Sequence, residues 1–269
     1  MLNALTVDLE DWYQGLQIPM SEWSVYEDRV VPATERLLEI LDEARARATF
    51  FTLGFVAERH PELIRRVAED GHEIATHGYS HALLYELEPD QFREELRRSV
   101  ALLQDISGQP VLGHRAPFFS ITRRSLWALD VLEEEGIRYD ASIFPVRNWR
   151  YGIEDAPRWP YQLPGKQLVE FPMSTCRIRN RNVPMTGGAY FRIYPYAVSQ
   201  RLLRAINRGG HPAVFYIHPW EIDPDHPRIP LPRRIGLTHY FNLRATERRL
   251  RRLLRDFRFA PMREVVSVG

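Results

Sequence analysis

Residues 61–78 read PELIRRVAEDGHEIATHG. Pro61 opens a helix, Leu63, Ile64 and Val67 share one of its faces, and Gly71 closes it. HEIATHG then reads as a strand that ends at His77. A helix that feeds a buried strand with a polar side chain at its far end is the unit of parallel sheets clothed in helices.

The unit recurs in both directions. Upstream, ALTVDLED reads as a strand buried through Leu5 and Val7, and it runs straight into carboxylates. PATERLLEILDEARA, residues 32–46, has helical spacing with Leu37, Leu38 and Leu41 on one face, and ATFFTLGFVA is an apolar strand and turn. Downstream come a helix (PDQFREELRRSVALLQDISG), a strand and loop (PVLGHRAP), a helix (SLWALDVLEEEG) and a strand (IRYDASIF). Residues 146–195 break the rhythm with Pro, Arg, Trp and Tyr and are expected to form loops and short strands, an irregular insertion that faces the substrate. AVSQRLLRAINRGG and PAVFYIHPWE restore the helix–strand order. A C-terminal helix over about 245–257 packs Leu250, Leu253, Leu254 and Phe257 inward and keeps its arginines on a solvated face. We expect one α/β domain over residues 1–269.

The bulk properties agree with one α/β domain. The chain has 269 residues, 44% of them hydrophobic, which is ample for a core and normal for an α/β barrel. With 36 basic and 35 acidic residues it lacks the basic excess of a nucleic-acid binder. Cys176 is the only cysteine, so no intrachain disulfide forms and a reducing compartment suits the chain. The N-terminal MLNALTVDLEDWYQG has no basic stretch followed by an apolar one, and no apolar run approaches the ~20 residues of a membrane span. The expected location is cytoplasmic.

In α/β barrels, functional residues gather at the C-terminal ends of strands, and Asp8, His77, Arg115 and Asp140 all fall at expected strand ends. His77 and His81 stand four apart, so on one helical turn both imidazoles reach a single ion. Asp8, Glu10 and Asp11 crowd three carboxylates at the first strand end, where either solvent or a cation must relieve their repulsion. Two histidines and a carboxylate suit a divalent transition metal and leave positions open for water and substrate. Arg115, beside a buried carboxylate, would hold it ionised. His218 follows the apolar run from Ala213 to Ile217 and has the context of a general acid. His60, His72, His114, His211, His226 and His239 read as surface or packing residues.

Taken together, TVDLED, HGYSH, RAP, YDAS and YIH resemble, in order, the motifs of the polysaccharide deacetylases of the carbohydrate esterase family four type. GGAYFR and HPWEID further resemble a subgroup associated with bacterial exopolysaccharide and protein-sorting loci. The resemblance implies an α/β fold, a distorted (β/α) barrel with about seven strands. It implies Asp8 as base, His218 as acid, Arg115 orienting Asp8, and Asp140 supporting the site. His77 and His81 become ligands of a divalent metal, most simply Zn2+. The third ligand is Glu10 or Asp11, because Leu9 stands where the commoner pattern has a second aspartate. The backbone N–H near Phe118 becomes an oxyanion donor. Trp12, Tyr13, Trp149, Tyr190, Phe191, Arg192 and Trp220 are candidates to face the sugar. The implied substrate is a carbohydrate bearing N-acetyl groups, with no nucleic-acid partner and no membrane span. Two alternatives stay open: a metal-free ring-amide hydrolase acting on a small nitrogenous compound, and a non-catalytic sugar-binding member of the fold.

Overall fold

The structure is a computed structural model that describes residues 1–148 and 150–265, so the candidate Trp149 lies outside the described residues. In chain order, its first half comprises β1 (Leu2–Leu9), α1 (Val30–Glu43), β2 (Thr49–Thr52), α2 (Gly54–Arg59), α3 (Pro61–Glu69), β3 (Glu73–Thr76), α4 (Pro89–Ser107), β4 (Gly113–His114), α5 (Ala128–Glu134) and β5 (Tyr139–Asp140). The second half comprises β6 (Tyr161–Gln162), β7 (Val169–Glu170), β8 (Thr175–Ile178), β9 (Arg181–Pro184), α6 (Gly188–Ile193), α7 (Tyr196–Arg208), β10 (Val214–Ile217), α8 (Arg233–Tyr240), α9 (Thr246–Asp256), β11 (Arg258–Ala260) and α10 (Met262–Val265).

The main sheet runs β10-β1-β2-β3-β4-β5-β7-β6, and all neighbours along it are parallel except β6 against β7. This is the expected distorted barrel. β11 also pairs with β1 in parallel, so the first strand is flanked by strands from the far end of the chain. Residues 146–195, expected to form loops and short strands, hold the short strands β6 to β9 and α6. Val169–Glu170 form β7, an integral strand of the sheet, which a run of two paired residues is too short to announce by periodicity.

Strand alternation sorts the side chains. Leu5, Val7, Leu9, Phe50, Ile74, Phe215 and Ile217 pack outward against Leu37, Leu41, Ile64, Val67 and Leu250 of the helices. Ala4, Phe51, Ala75, Tyr139, Ala141, Phe171, Met173, Val214 and Tyr216 fill the interior. Gly113 is required there: a Cβ at that position would lie 2.1 Å from the Tyr139 ring. At the N-terminal end of the barrel, Glu73 accepts hydrogen bonds from Thr49 Oγ1 (2.5 Å), Tyr139 Oη (2.9 Å) and the Arg263 amide (3.1 Å). The short α10 thereby closes that end. A large cavity of about 880 Å³ also lies at this end, between α1, α3 and α10, away from every candidate site residue.

The helices obey their local signals. α4 starts at Pro89 behind Glu88, whose amide bonds Gln91 Oε1 (2.9 Å), and stops at Gly108 in the left-handed conformation. α1 starts at Val30, two residues before the proline expected to open it, because Asp11 caps it from a distance. The α9 arginines are more engaged than a solvated face implies. Arg249 donates to the Phe191, Arg192 and Tyr194 carbonyls at the end of α6, and Arg251 pairs with Glu43 and Glu247. Among the described residues, no helix is long and apolar enough to cross a membrane.

Candidate metal centre and active site

The C-terminal ends of β1, β3, β4 and β10 deliver Asp8, Glu10, His77, Arg115 and His218 to one spot inside the barrel rim. His81 comes from the loop after β3. The helical turn expected for the histidine pair is not what brings them together. Residues 77–83 form an irregular loop in which Gly78 (φ 77°) and His81 (φ 59°) both take left-handed backbone conformations. Gly78 adopts this at no steric cost, whereas His81 is held there by its surroundings. The two imidazole centroids end 5.2 Å apart.

Glu10, His77 and His81 are buried, and one potential ligand atom from each lies within 4.8 Å of the others. His77 Nδ1 is 2.7 Å from the Arg115 carbonyl. A carbonyl only accepts, so Nδ1 carries the proton and Nε2 keeps its lone pair for an ion. Burial dominates the His77 environment and lowers its pKa to about 4, which keeps it neutral. Glu10 Oε2 stands 2.6 Å from His81 Nε2, yet the approach is not that of a ring N–H donor, and the oxygen has no hydrogen bond. A buried carboxylate oxygen without a hydrogen-bond partner, beside two imidazoles, fits a cation. Burial alone would raise the Glu10 pKa, but His81, His218 and His77 outweigh it and bring it to about 2. Glu10 is a carboxylate at any working pH.

Asp11, the alternative ligand, is turned away. Its carboxylate accepts from the amides of Trp12 (2.7 Å), Arg29 (2.7 Å) and Val30 (3.0 Å). It is committed to the loop after β1 and to the start of α1.

Asp8 faces Arg115, a fully buried arginine. Nη1 donates to Asp8 Oδ1 (2.5 Å) and Thr6 Oγ1 (2.8 Å), Nε donates to the Ala141 carbonyl (3.2 Å), and the guanidinium lies 4.1 Å from the Phe51 ring centroid. This leaves Asp8 Oδ2 directed at the gap, 3.8 Å from His218 Nε2. Across the same gap, His218 Nε2 is 3.7 Å from Glu10 Oε1. Behind His218, Glu221 Oε1 takes Nδ1 at 2.7 Å and the His218 amide at 3.1 Å, and Glu221 Oε2 takes Arg192 Nε at 2.6 Å. Burial opposes charge on His218, but Glu221, with Glu10 and Asp8, prevails and raises its pKa to about 9. Arg192 and His218 likewise overcome burial at Glu221 and hold it at about 2.

The remaining candidates divide. Phe118, at φ 53°, sets its ring 4.8 Å from that of His81 and lines the site. Tyr190 meets Tyr151 hydroxyl to hydroxyl at 2.9 Å on the wall beside Tyr216. Arg192 is not at the substrate surface. It is buried behind Glu221, with Nη1 on the His239 and Phe241 carbonyls. Trp12, Tyr13, Phe191 and Trp220 are buried too: Trp12 stacks on His226, and Trp220 lies between His218 and His239. Asp140 sits on the opposite face of the sheet, bonded to His114 Nδ1 and Ser142 Oγ (2.7 Å each). Ser142 Oγ accepts the Ala116 amide (2.7 Å), so Asp140 reaches the site only by bracing the loop beside Arg115.

Reading from residues missed Thr6, Glu221 and the role of Arg192. Thr6 had a signal, since it is two residues before Asp8 and on the same strand face. Glu221 had a weaker one, three residues after His218 behind a proline. Arg192 had none, because the pairing spans 29 residues of chain.

Comparison with known proteins follows the same outline. A family model described as polysaccharide deacetylase matches residues 21–139, and one described as a domain of unknown function, DUF3473, matches 141–267. The first range holds His77, His81 and Arg115, but not Asp8, Glu10 or His218, which the fold brings to them. A peptidoglycan-N-acetylglucosamine deacetylase of Bacillus cereus is 29% identical over 40% of this chain and 43% of its own length. A chitooligosaccharide deacetylase of a Bradyrhizobium species is 34% identical over 37% of this chain and 43% of its own. The chain thus spans less than half of either curated relative. A crystal structure from Mycobacterium smegmatis shares the fold with a TM-score of 0.66 and 24% identity, covering 99% of this chain and 88% of that one. PuuE allantoinase shares it with a TM-score of 0.61 and 17% identity, covering 98% and 88%. The polysaccharide deacetylase model thus covers under half of the chain, and the solved structures show a shared fold.

Proposed function

We propose that the chain is a metal-dependent N-deacetylase that removes acetyl groups from an amino sugar in a bacterial polysaccharide or its precursor. One observation carries the reading: potential ligand atoms of Glu10, His77 and His81 converge within 4.8 Å, with Glu10 Oε2 lacking a hydrogen-bond partner, between a base anchored by arginine and an acid anchored by glutamate. His77, His81 and Glu10 would hold a divalent transition ion, most simply Zn2+, which supplies Lewis acidity toward the amide carbonyl and an acidified water. Asp8, kept ionised and oriented by Arg115, accepts the proton of the attacking water. The amide near Phe118 faces the developing oxyanion. His218, protonated and steered by Glu221, delivers a proton to the departing amine, and acetate and a free amino sugar result. The names of the curated relatives support an N-acetylglucosamine-type substrate.

The reading extends to setting. The lone cysteine, Cys176, suits a reducing compartment, so a cytoplasmic enzyme would meet a lipid-linked or nucleotide-linked precursor. The GGAYFR and HPWEID segments fit the exopolysaccharide-associated subgroup, and strands drawn from both ends of the chain into one sheet support a single catalytic unit.

Elemental analysis of the purified protein, beside a His77→Ala, His81→Ala variant, tests this. Near-stoichiometric zinc in the parent, lost in the variant, together with acetate release from chitotetraose, is expected. No metal in the parent after incubation with zinc, cobalt and nickel sinks the mechanism and turns attention to cyclic amides.

A further inference from the structure

Charge is unevenly placed along this chain. Residues 171–244 hold 11 arginines and three carboxylates, within a chain whose net charge is +1. The three carboxylates are engaged. Glu221 takes His218 and Arg192, Asp223 accepts from Arg29 at 2.9 and 3.0 Å, and Asp225 lies 3.8 Å from Arg244. Among the described residues, Arg233 and Arg234, at the start of α8, are exposed and form no ion pair. A local excess of one sign marks a surface for a partner of the other sign.

The same helix adds an apolar component. One side of α8 packs on the protein through His239 and Tyr240, which stack on Trp220 and His226. The other side meets water. Arg233, Leu237 and Phe241 follow one another there at intervals of four residues. Leu237 is 64% exposed and Phe241 41%. Large apolar side chains left in water beside unpaired arginines mark a contact surface. A soluble polyanion would satisfy the arginines but offers nothing to Leu237 and Phe241. The surface of an anionic bilayer supplies both partners: phosphates for the guanidinium groups, and an acyl boundary for the leucine and the phenylalanine.

We propose that the exposed face of α8 docks on an anionic lipid membrane, with Arg233 and Arg234 on the lipid phosphates and Leu237 and Phe241 in the acyl boundary. Two stacked rings, His239 and Trp220, connect α8 to the His218 imidazole, so docking brings the candidate site to the bilayer. Resting on the deacetylase reading, the docking face specifies the substrate: a saccharide carried on a membrane lipid.

The test is co-sedimentation of the full chain with vesicles of phosphatidylglycerol and phosphatidylcholine in equal parts, beside vesicles of phosphatidylcholine alone. The anionic vesicles should bind at least about tenfold more tightly, and the difference should shrink as salt rises. Arg233→Gln with Arg234→Gln should weaken that binding about 30-fold, and Leu237→Ser about tenfold. All three side chains are exposed, so both variants should keep the circular dichroism spectrum of the parent. No binding to the anionic vesicles, or binding that either variant leaves unchanged, overturns the proposal. If the arginines alone matter and heparin binds as tightly as the vesicles, a soluble polyanion is the occupant. If vesicles do not bind and Leu237→Ser dissolves a dimer seen by analytical ultracentrifugation, the occupant is a second copy of the chain. Acetate release from soluble chitotetraose is scored separately. Release without vesicle binding sinks the docking face and leaves the deacetylase reading standing, and vesicle binding without release does the reverse.

Discussion

Two buried clusters of histidine and carboxylate share the strand ends of this sheet, one on each face. Inside the barrel stand Asp8, Glu10, His77, His81, Arg115 and His218. Outside, between sheet and helices, stand His114, Asp140, Ser142 and Glu170. Their members alternate along the same strands: His114 points out and Arg115 in, Asp140 out and Ala141 in. Composition and burial barely separate them. What differs is how their polar atoms converge. Outside, Asp140 binds His114, Ser142 Oγ and the Ser142 amide (3.0 Å), and Glu170 binds the Ile143 amide (3.0 Å). Burial, with Asp140 beside it, pushes the Glu170 pKa well up. The outer carboxyls take backbone amides and the Ser142 hydroxyl, although Glu170 Oε2 and His114 Nε2 have no hydrogen-bond partner. Inside, Glu10 Oε2 likewise has no hydrogen-bond partner, but it converges with ligand atoms of His77 and His81 within 4.8 Å, and Asp8 Oδ2 and His218 Nε2 face one another across a gap. Leftover bonding capacity is common to both clusters; convergence of potential ligand atoms on one spot is what distinguishes the inner one.

The contrast breaks most decisively at the metal. His77→Ala with His81→Ala should abolish metal content and lower deacetylation by on the order of 10³-fold or more, measured by elemental analysis and acetate release. The outer substitution Asp140→Asn should instead retain metal. Metal lost in both would show that the two faces are one device.

Stability sharpens the comparison next. Arg115→Met strands Asp8 without its buried partner and should cost about 3–5 kcal/mol in urea denaturation. Asp140→Asn keeps the shape and much of the hydrogen bonding, so about 1–3 kcal/mol is expected. A reversed order would mean that the inner pair contributes little to the fold.

A smaller effect is expected at Glu221. Glu221→Gln keeps the volume but removes the charge behind His218. We expect kcat to fall about 10–100-fold, as for other partners of functional histidines, with KM and metal content nearly unchanged. A variant with full kcat would remove His218 from the proton path.

The smallest contrast lies along β3, which has a buried histidine at each end. Burial holds both His72 and His77 near a pKa of about 4. His72 Nδ1 accepts the Ala48 amide at 3.2 Å, a bond that protonation would break. With a folded pKa below the unfolded value of about 6.5, the unfolded chain takes the proton first. Stability is therefore full above about pH 6.5 and declines through about pH 4, by on the order of 2 kcal/mol. Urea midpoints of parent and His72→Asn at pH 7 and pH 4.5 should show a shallower pH dependence in the variant. Parallel slopes would refute this assignment of His72.

Alternating helix and strand patterns determined the barrel and the polarity of its strands, because burial imposes periods of 3.6 and 2 that any reader of the chain can see. The same patterns placed Asp8, His77 and Arg115 at strand ends. They left Glu10 and Asp11 open as the third ligand. The histidine pair was legible, but its local geometry was not. Left-handed backbone at His81 is imposed by packing, not by its own preference. Tertiary structure alone decided that Asp11 caps α1, that Arg192 serves Glu221 and that Asp140 braces rather than reacts. Each of those roles depends on a partner whose distance along the chain carries no local pattern, and hydrogen bonds select their partners by position in space.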